Sequence, residues 1–318
     1  MFNRANFRVV NIVKFCFVTN FNITLSQWHH MFINNLNTLA AAGYEYTEVT
    51  YHPMKFEQAT TYRDQSCLAE IRGADIVFVY CCSAVNKAVK QNYNTPYYVR
   101  QLMKPNAKLL IFWDDDKYQP MYYFSKYPKS TVDHALYLVP NYKFPVPSTQ
   151  INMPQLYNYS SYLNVVPKPF ELRNGKVALM VHSHPEANVD DKLKQFNVAF
   201  KVFTTRKTGW LHPDDYMAKL GHCWAALDDD ATYYGWGRFA IECALMGVPC
   251  IGSTPTVKLL YPNLYTKIND YNRQRELLKY LSVKANFEAE VAAAKANLKY
   301  MGAGYILPRF IAVLNKLR

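Results

Sequence analysis

Residues 227–253 read LDDDATYYGWGRFAIECALMGVPCIGS, and this stretch decides the fold. An apolar strand runs into a glycine-bearing turn, an apolar helix follows, and Gly247 and Pro249 precede a second short strand. Gly235 and Gly237 let the backbone approach a ligand closely. A helix opening near Gly237 aims free amides and its positive dipole end at the same place, which suits a diphosphate. Within that helix only Arg238 and Glu242 are charged, four residues apart and so on one face. A surface ion pair has the same spacing. But a helix built from Phe239, Ala240, Ile241, Cys243, Ala244, Leu245 and Met246 is buried on its other faces, so the charged face is expected to line a polar cleft. A guanidinium matches phosphate oxygens and a carboxylate matches the paired hydroxyls of a ribose.

Outward from this stretch, strands and helices alternate. Residues 9–18, 46–51, 75–82 and 107–113 are β-branched or aromatic runs that predict strands. Trp28, Met31, Phe32, Leu36 and Leu39 recur at helical spacing after Ser26 until Gly43. Prolines at 140, 145, 147, 154, 167 and 169 make a continuous helix or strand improbable there, and the domain connection is placed near 165–172. Beyond it, strands are predicted from 176, over 196–204, over 223–227 and near 248–251. Helices are expected over 213–220, 272–281 and 286–300. The fold class is therefore α/β, with an N-terminal domain over 1–168 and a C-terminal domain over 169–318. The last helix is expected to return to the first domain. Ligands of such sheets bind off the carboxyl ends of the strands.

The pattern GxGRFxxECALMGVPCIGS resembles the donor signature of the GT-B glycosyltransferases, most closely that of the retaining families. The resemblance implies two Rossmann-like domains facing a central cleft, with a nucleotide diphosphate sugar, most naturally a UDP-sugar, held by the C-terminal one. Glu242 inherits the contact with the ribose. The family's preceding Glu falls on Tyr234, a departure at the position that contacts the transferred sugar. The stretch TTRKTGWLHPDDYMAKLGHCWAALDDD is similar to the family's loop, short helix and strand beside the base. On that alignment Gly209 approaches the base and Arg206 or Lys207 reaches the diphosphate. Ser183 and His184 follow the first strand of this half and are further donor-site candidates. In the N-terminal half only the order of elements matches; the loop TNFNITLS lacks the family's glycine pair. No GxGxxG follows the first strand, which argues against a nicotinamide dehydrogenase.

Thirty-six Lys and Arg against 24 Asp and Glu give a formal charge of +12 over 318 residues. Such a field favours a polyanionic partner, nucleic acid or an anionic membrane surface. Seven cysteines without a CxxC, mostly inside apolar runs, read as buried thiols of a reducing compartment. No apolar run approaches a membrane span, and the expected location is the cytoplasm, that of the host cell if the gene is phage-borne.

Residues 76–113 hold no acid, while Lys87, Lys90 and Arg100 alternate with Tyr97 and Tyr98. Interleaved cations and aromatics suit a nucleic-acid backbone and an extruded base. In style the chain resembles phage glucosyltransferases that modify hydroxymethylated pyrimidines in DNA. The alternatives are a bacterial-type transferase acting on lipid-linked or surface glycans, and a non-catalytic nucleic-acid or glycan-binding module on the same fold. Asp114 and Asp115 end a strand in the acceptor half, where a carboxylate takes the acceptor's proton or steadies positive charge on the sugar. Asp in a turn or cap reads identically. The second acidic run, Asp228 to Asp230, has the chemistry to bind a divalent cation, yet the resemblance implies a diphosphate neutralised by protein charges, with no obligatory metal or cofactor.

Overall fold

The computed structural model of the chain describes residues 12–20, 27–51, 65–81, 95–113, 124–125, 127–137, 144–151, 166–181, 195–203, 213–228 and 239–318. The chain divides into two compact units: residues 1–151 with 307–318, and residues 152–306. The segment around Lys168 belongs to the second unit. Arg173 explains that placement, because its guanidinium donates to Lys168 O at 2.9 Å, Cys223 O at 2.8 Å and Gly247 O at 2.8 Å.

In unit 1 six strands form one parallel sheet in the order β2-β1-β3-β4-β5-β6. They are β1 (Val13–Asn20), β2 (Tyr44–Tyr51), β3 (Ile76–Cys81), β4 (Lys108–Trp113), β5 (His134–Tyr137) and β6 (Ser148–Gln150). Side chains alternate across the sheet, and the two faces differ in chemistry. One face collects Phe15, Phe17, Phe78 and Phe112, and the other collects Cys16, Val18, Val77, Val79, Leu109 and Ile111. Helix α1 (Gln27–Ile33) covers the aromatic face: Trp28 meets Phe78 and Phe112 edge-on, with centroids 5.2 and 5.4 Å apart. The C-terminal helix, α10 (Ala303–Leu317), completes it, with Phe310 5.1 Å from both Trp28 and Phe32. Tyr44 Oη donates to Asn315 at 2.6 Å beside that contact. Across the sheet, helix α3 (Gln65–Gly73) and helix α4 (Thr95–Leu102) supply Ile71 and Val99 to the aliphatic core.

Two expectations change. The single helix predicted after Ser26 is split into α1 and α2 (Leu36–Ala41), because Asn35 turns its side-chain amide back to Met31 O at 2.8 Å and ends the first helix. The proline-rich region does carry a strand, β6. It is three residues long and lies at the sheet edge, so Pro147 just before it removes no needed donor while its carbonyl still accepts from Ala135 N at 2.9 Å.

Unit 2 has a four-stranded parallel sheet ordered β10-β9-β7-β8, from β7 (Val177–Val181), β8 (Val198–Phe203), β9 (Ala225–Asp228) and β10 (Cys250–Gly252). Helix α5 (Pro213–His222) precedes β9, and helix α6 (Phe239–Leu245) joins β9 to β10. Every residue of α6 is buried, Glu242 included, where composition required it only of the apolar faces. Fully burying side chains such as Phe239, Ile241 and Leu245 contributes about 1.5–3 kcal/mol each. Helices α7 (Pro255–Leu260), α8 (Tyr271–Leu281) and α9 (Lys284–Asn297) close the unit, and α6 packs against both α7 and α9. Thr254 caps α7 by accepting from Val257 N at 3.3 Å.

Candidate functional site

The strand order of unit 2 locates its binding site. From β7 the chain moves outward to β8, then returns to lay β9 on the other side of β7 and β10 beyond. The switch point lies between β7 and β9, and ligands of open parallel sheets bind at the carboxyl ends there. Residues leaving that edge are those after Val181, after Phe203 and after Asp228. Ser183, His184, Arg206, Lys207, Gly209, Tyr234, Gly235, Gly237 and Arg238 belong to these three connections. All nine lie outside the described residues.

Glu242 is described, and its setting is specific. It sits in the first turn of α6, 9% exposed, and accepts a hydrogen bond from the Tyr216 phenol at 2.5 Å. Helices that follow parallel strands run back from the carboxyl edge, so the first turn of α6 belongs to the ligand-binding end of the sheet. A carboxylate almost withdrawn from water requires donors, and Tyr216 in α5 supplies one. Sequence reading missed Tyr216, because nothing local marks a partner 26 residues away.

Asp228 ends β9 at the same edge, 1% exposed. Its carboxylate accepts from Thr254 Oγ1 at 3.1 Å and its carbonyl accepts from Ser253 N at 3.2 Å, which fastens β9 to the turn entering α7. This first residue of the second acidic run therefore has a structural occupation. No three His, Cys, Asp or Glu side chains among the described residues are grouped to hold a metal ion. Asp229 and Asp230 lie outside them.

In unit 1, Asp114 and Asp115 follow the end of β4 at the carboxyl edge and, like Lys87 and Lys90, lie outside the described residues. Tyr97 and Tyr98 occupy the first turn of α4, half-buried. The Tyr97 ring is already stacked on Tyr127, with centroids 4.5 Å apart and planes 22° apart, and meets Tyr98 edge-on. Arg100 is in the last turn of α4 and reaches the opposite, amino edge of the sheet. There it donates to Ala107 O at 2.8 Å and pairs with Asp133 at 3.2 Å. Arg100 is expected from sequence among the phosphate contacts; in the fold its charge fixes α4 to the entry of β4 and β5. His29 in α1 has Nδ1 2.7 Å from Glu48 Oε2, which accepts from Tyr46 Oη at 2.8 Å as well. Burial, and then the hydrogen bond to Glu48, push the Tyr46 pKa far upward, so the phenol is the donor. No helix among the described residues is long and apolar enough to cross a membrane.

Two doubly wound α/β units, with the last helix of the chain completing the first, define the GT-B fold. Solved structures bear this out. An alpha-glucosyltransferase in complex with UDP and a 13-mer DNA containing an HMU base superposes with a TM-score of 0.60 at 10% identity, over 96% of this chain and 100% of that one. A UDP-N-acetylglucosamine 2-epimerase described from Listeria monocytogenes gives 0.52 at 13% identity, over 95% and 96%. Anabaena Alr3699/HepE in complex with UDP-glucose gives 0.52 at 9% identity, over 96% and 100%. No protein-family model matches the sequence, and no curated protein matches it.

Proposed function

We propose that this chain is a glycosyltransferase that moves a sugar from a UDP-sugar to a hydroxyl, and that its acceptor is a hydroxymethylated pyrimidine in DNA. The observation that carries the reading is Glu242. It is a buried, hydrogen-bonded carboxylate in the first turn of α6 at the ligand-binding end of the unit 2 sheet, within a GT-B fold whose solved examples include complexes with UDP and with UDP-glucose. Glu242 accepts from the ribose hydroxyls. Arg238, Arg206 and Lys207 bind diphosphate oxygens, and Gly235 and Gly237 give the backbone its close approach. Gly209 lies along the base, and Ser183, His184 and Tyr234 complete the donor pocket.

In the reaction the acceptor oxygen forms a bond to the anomeric carbon as the bond from that carbon to the β-phosphate oxygen breaks, and UDP leaves with the electron pair. Asp114 or Asp115 takes the acceptor's proton. The departing diphosphate carries its charge into a site lined by cations and amides, which stabilise it more in a water-poor cleft than in bulk solvent.

The DNA acceptor is supported by the +12 charge, by the acid-free stretch with Lys87 and Lys90, and by the DNA present in one structure of the same fold. Mass spectrometry of oligonucleotides incubated with UDP-glucose and UDP-N-acetylglucosamine tests the proposal. A hexose or N-acetylhexosamine mass gain on hydroxymethylpyrimidine DNA, and none on unmodified DNA, is expected. Transfer to a lipid extract with no gain on DNA overturns the acceptor, and intact donor under every condition overturns the transferase.

A further inference from the structure

Helices α5 and α6 are tied at both ends. At their C-terminal ends the Arg173 guanidinium bonds to Cys223 O and Gly247 O, the carbonyls that follow the two helices. Gly221 there approaches Met246 so closely that an added Cβ would lie 2.8 Å from the methionine methyl. Toward their N-terminal ends the tie is the bond from Tyr216 to Glu242. Each of the two side chains stands fourth in its helix. A frame fixed at one end by a half-buried cation holds the phenol and the carboxylate in one register at the other.

We infer that Tyr216 is a positioning residue that orients Glu242 for the vicinal hydroxyls of a ribose and so makes the donor site selective for ribonucleotides. The inference rests on the donor reading of Glu242 and deepens it. A glutamate side chain has three rotatable bonds, whereas a tyrosine held between helices has few alternatives. Fixing Oε2 with a charge-assisted bond sets the plane of the carboxylate before the nucleotide arrives. A carboxylate so placed and largely dry rejects a nucleotide that lacks the hydroxyls, because the lone pairs that accept from them are then left unmatched. The positioning is legible only in three dimensions, since α5 and α6 are separated by all of β9 and the connection after it.

Isothermal titration of UDP and 2′,3′-dideoxy-UDP against the full-length protein, Tyr216→Phe and Glu242→Gln tests this. The wild type is expected to prefer UDP by at least about a hundredfold, near the lower bound for two hydrogen bonds to a charged group. Tyr216→Phe is expected to cut that preference to about tenfold, leaving dideoxy-UDP affinity and the thermal midpoint near wild type, and Glu242→Gln to abolish the preference. A preference unchanged in Tyr216→Phe but lost in Glu242→Gln overturns the positioning role alone. One unchanged in both variants overturns the donor reading as well. An equal loss of UDP and dideoxy-UDP affinity in Tyr216→Phe also overturns the inference, since a general loosening of the helices would act on both ligands alike.

Discussion

Gly252 lies directly against Asp228 in the β9–β10 pair, so close that a Cβ on the glycine would stand 2.0 Å from the Asp228 carbonyl oxygen. The obstacle is backbone and cannot swing away. Gly252→Ala is therefore expected to force the two strands apart and to lower stability by about 2–4 kcal/mol. Urea denaturation followed by circular dichroism measures it. A loss below about 0.5 kcal/mol contradicts the close approach.

Arg173 holds the carbonyls of Lys168, Cys223 and Gly247, and stacks on Phe287 with its guanidinium carbon 4.9 Å from the ring centroid. Burial lowers its pKa, but the group stays cationic at neutral pH. Arg173→Met keeps much of the volume and strips the carbonyls of donors, for an expected loss of about 3 kcal/mol. Lysine at this position cannot span several carbonyls and should recover less than half of that. Chemical denaturation of both variants decides the matter.

Phe310 joins the cluster of Phe15, Trp28, Phe32 and Phe78 from the far end of the chain. Phe310→Ala is expected to destabilise unit 1 by about 3–5 kcal/mol through the cavity it leaves. Tryptophan fluorescence should report that loss, because Trp28 is in direct contact with the ring.

DNA binding should weaken as salt rises, with a log–log slope near 0.9 per phosphate neutralised. Charge reversal at Lys87 and at Lys90 is expected to reduce that slope by about 0.9 for each lysine. Arg100→Ala should leave the slope as it is and lower the thermal midpoint instead, because its guanidinium is engaged with Ala107 and Asp133. Fluorescence anisotropy across a salt series, beside a thermal melt, separates the two effects. A slope that falls in Arg100→Ala would return this residue to the nucleic-acid surface.

Asp114→Asn and Asp115→Asn each preserve shape while removing a base. If one of these carboxylates takes the acceptor's proton, that variant should lose at least a hundredfold in kcat and keep its UDP affinity. Steady-state kinetics with parallel titration of UDP checks this, and full activity in both variants would leave the pair as a turn.

The sequence by itself determined the α/β class, most strand positions of both sheets and the buried character of α6, because these follow from local periodicity and composition. Residues 227–253 also singled out Glu242, since one acid in an otherwise apolar helix is conspicuous. Tertiary structure alone decided what that acid touches. Tyr216, Arg173 and Gly252 look ordinary in sequence and acquire their roles from contacts 26 to 74 residues away or from a neighbouring strand. It also assigned Arg100 to the amino edge of its sheet, where composition had counted it among the cations of a groove. And it set Phe310, on the helix expected to return to the first domain, against the aromatic face of that sheet, a contact that no pattern within α10 marks. Local signals report what a residue prefers to be near; only the packed chain fixes which partner satisfies that preference.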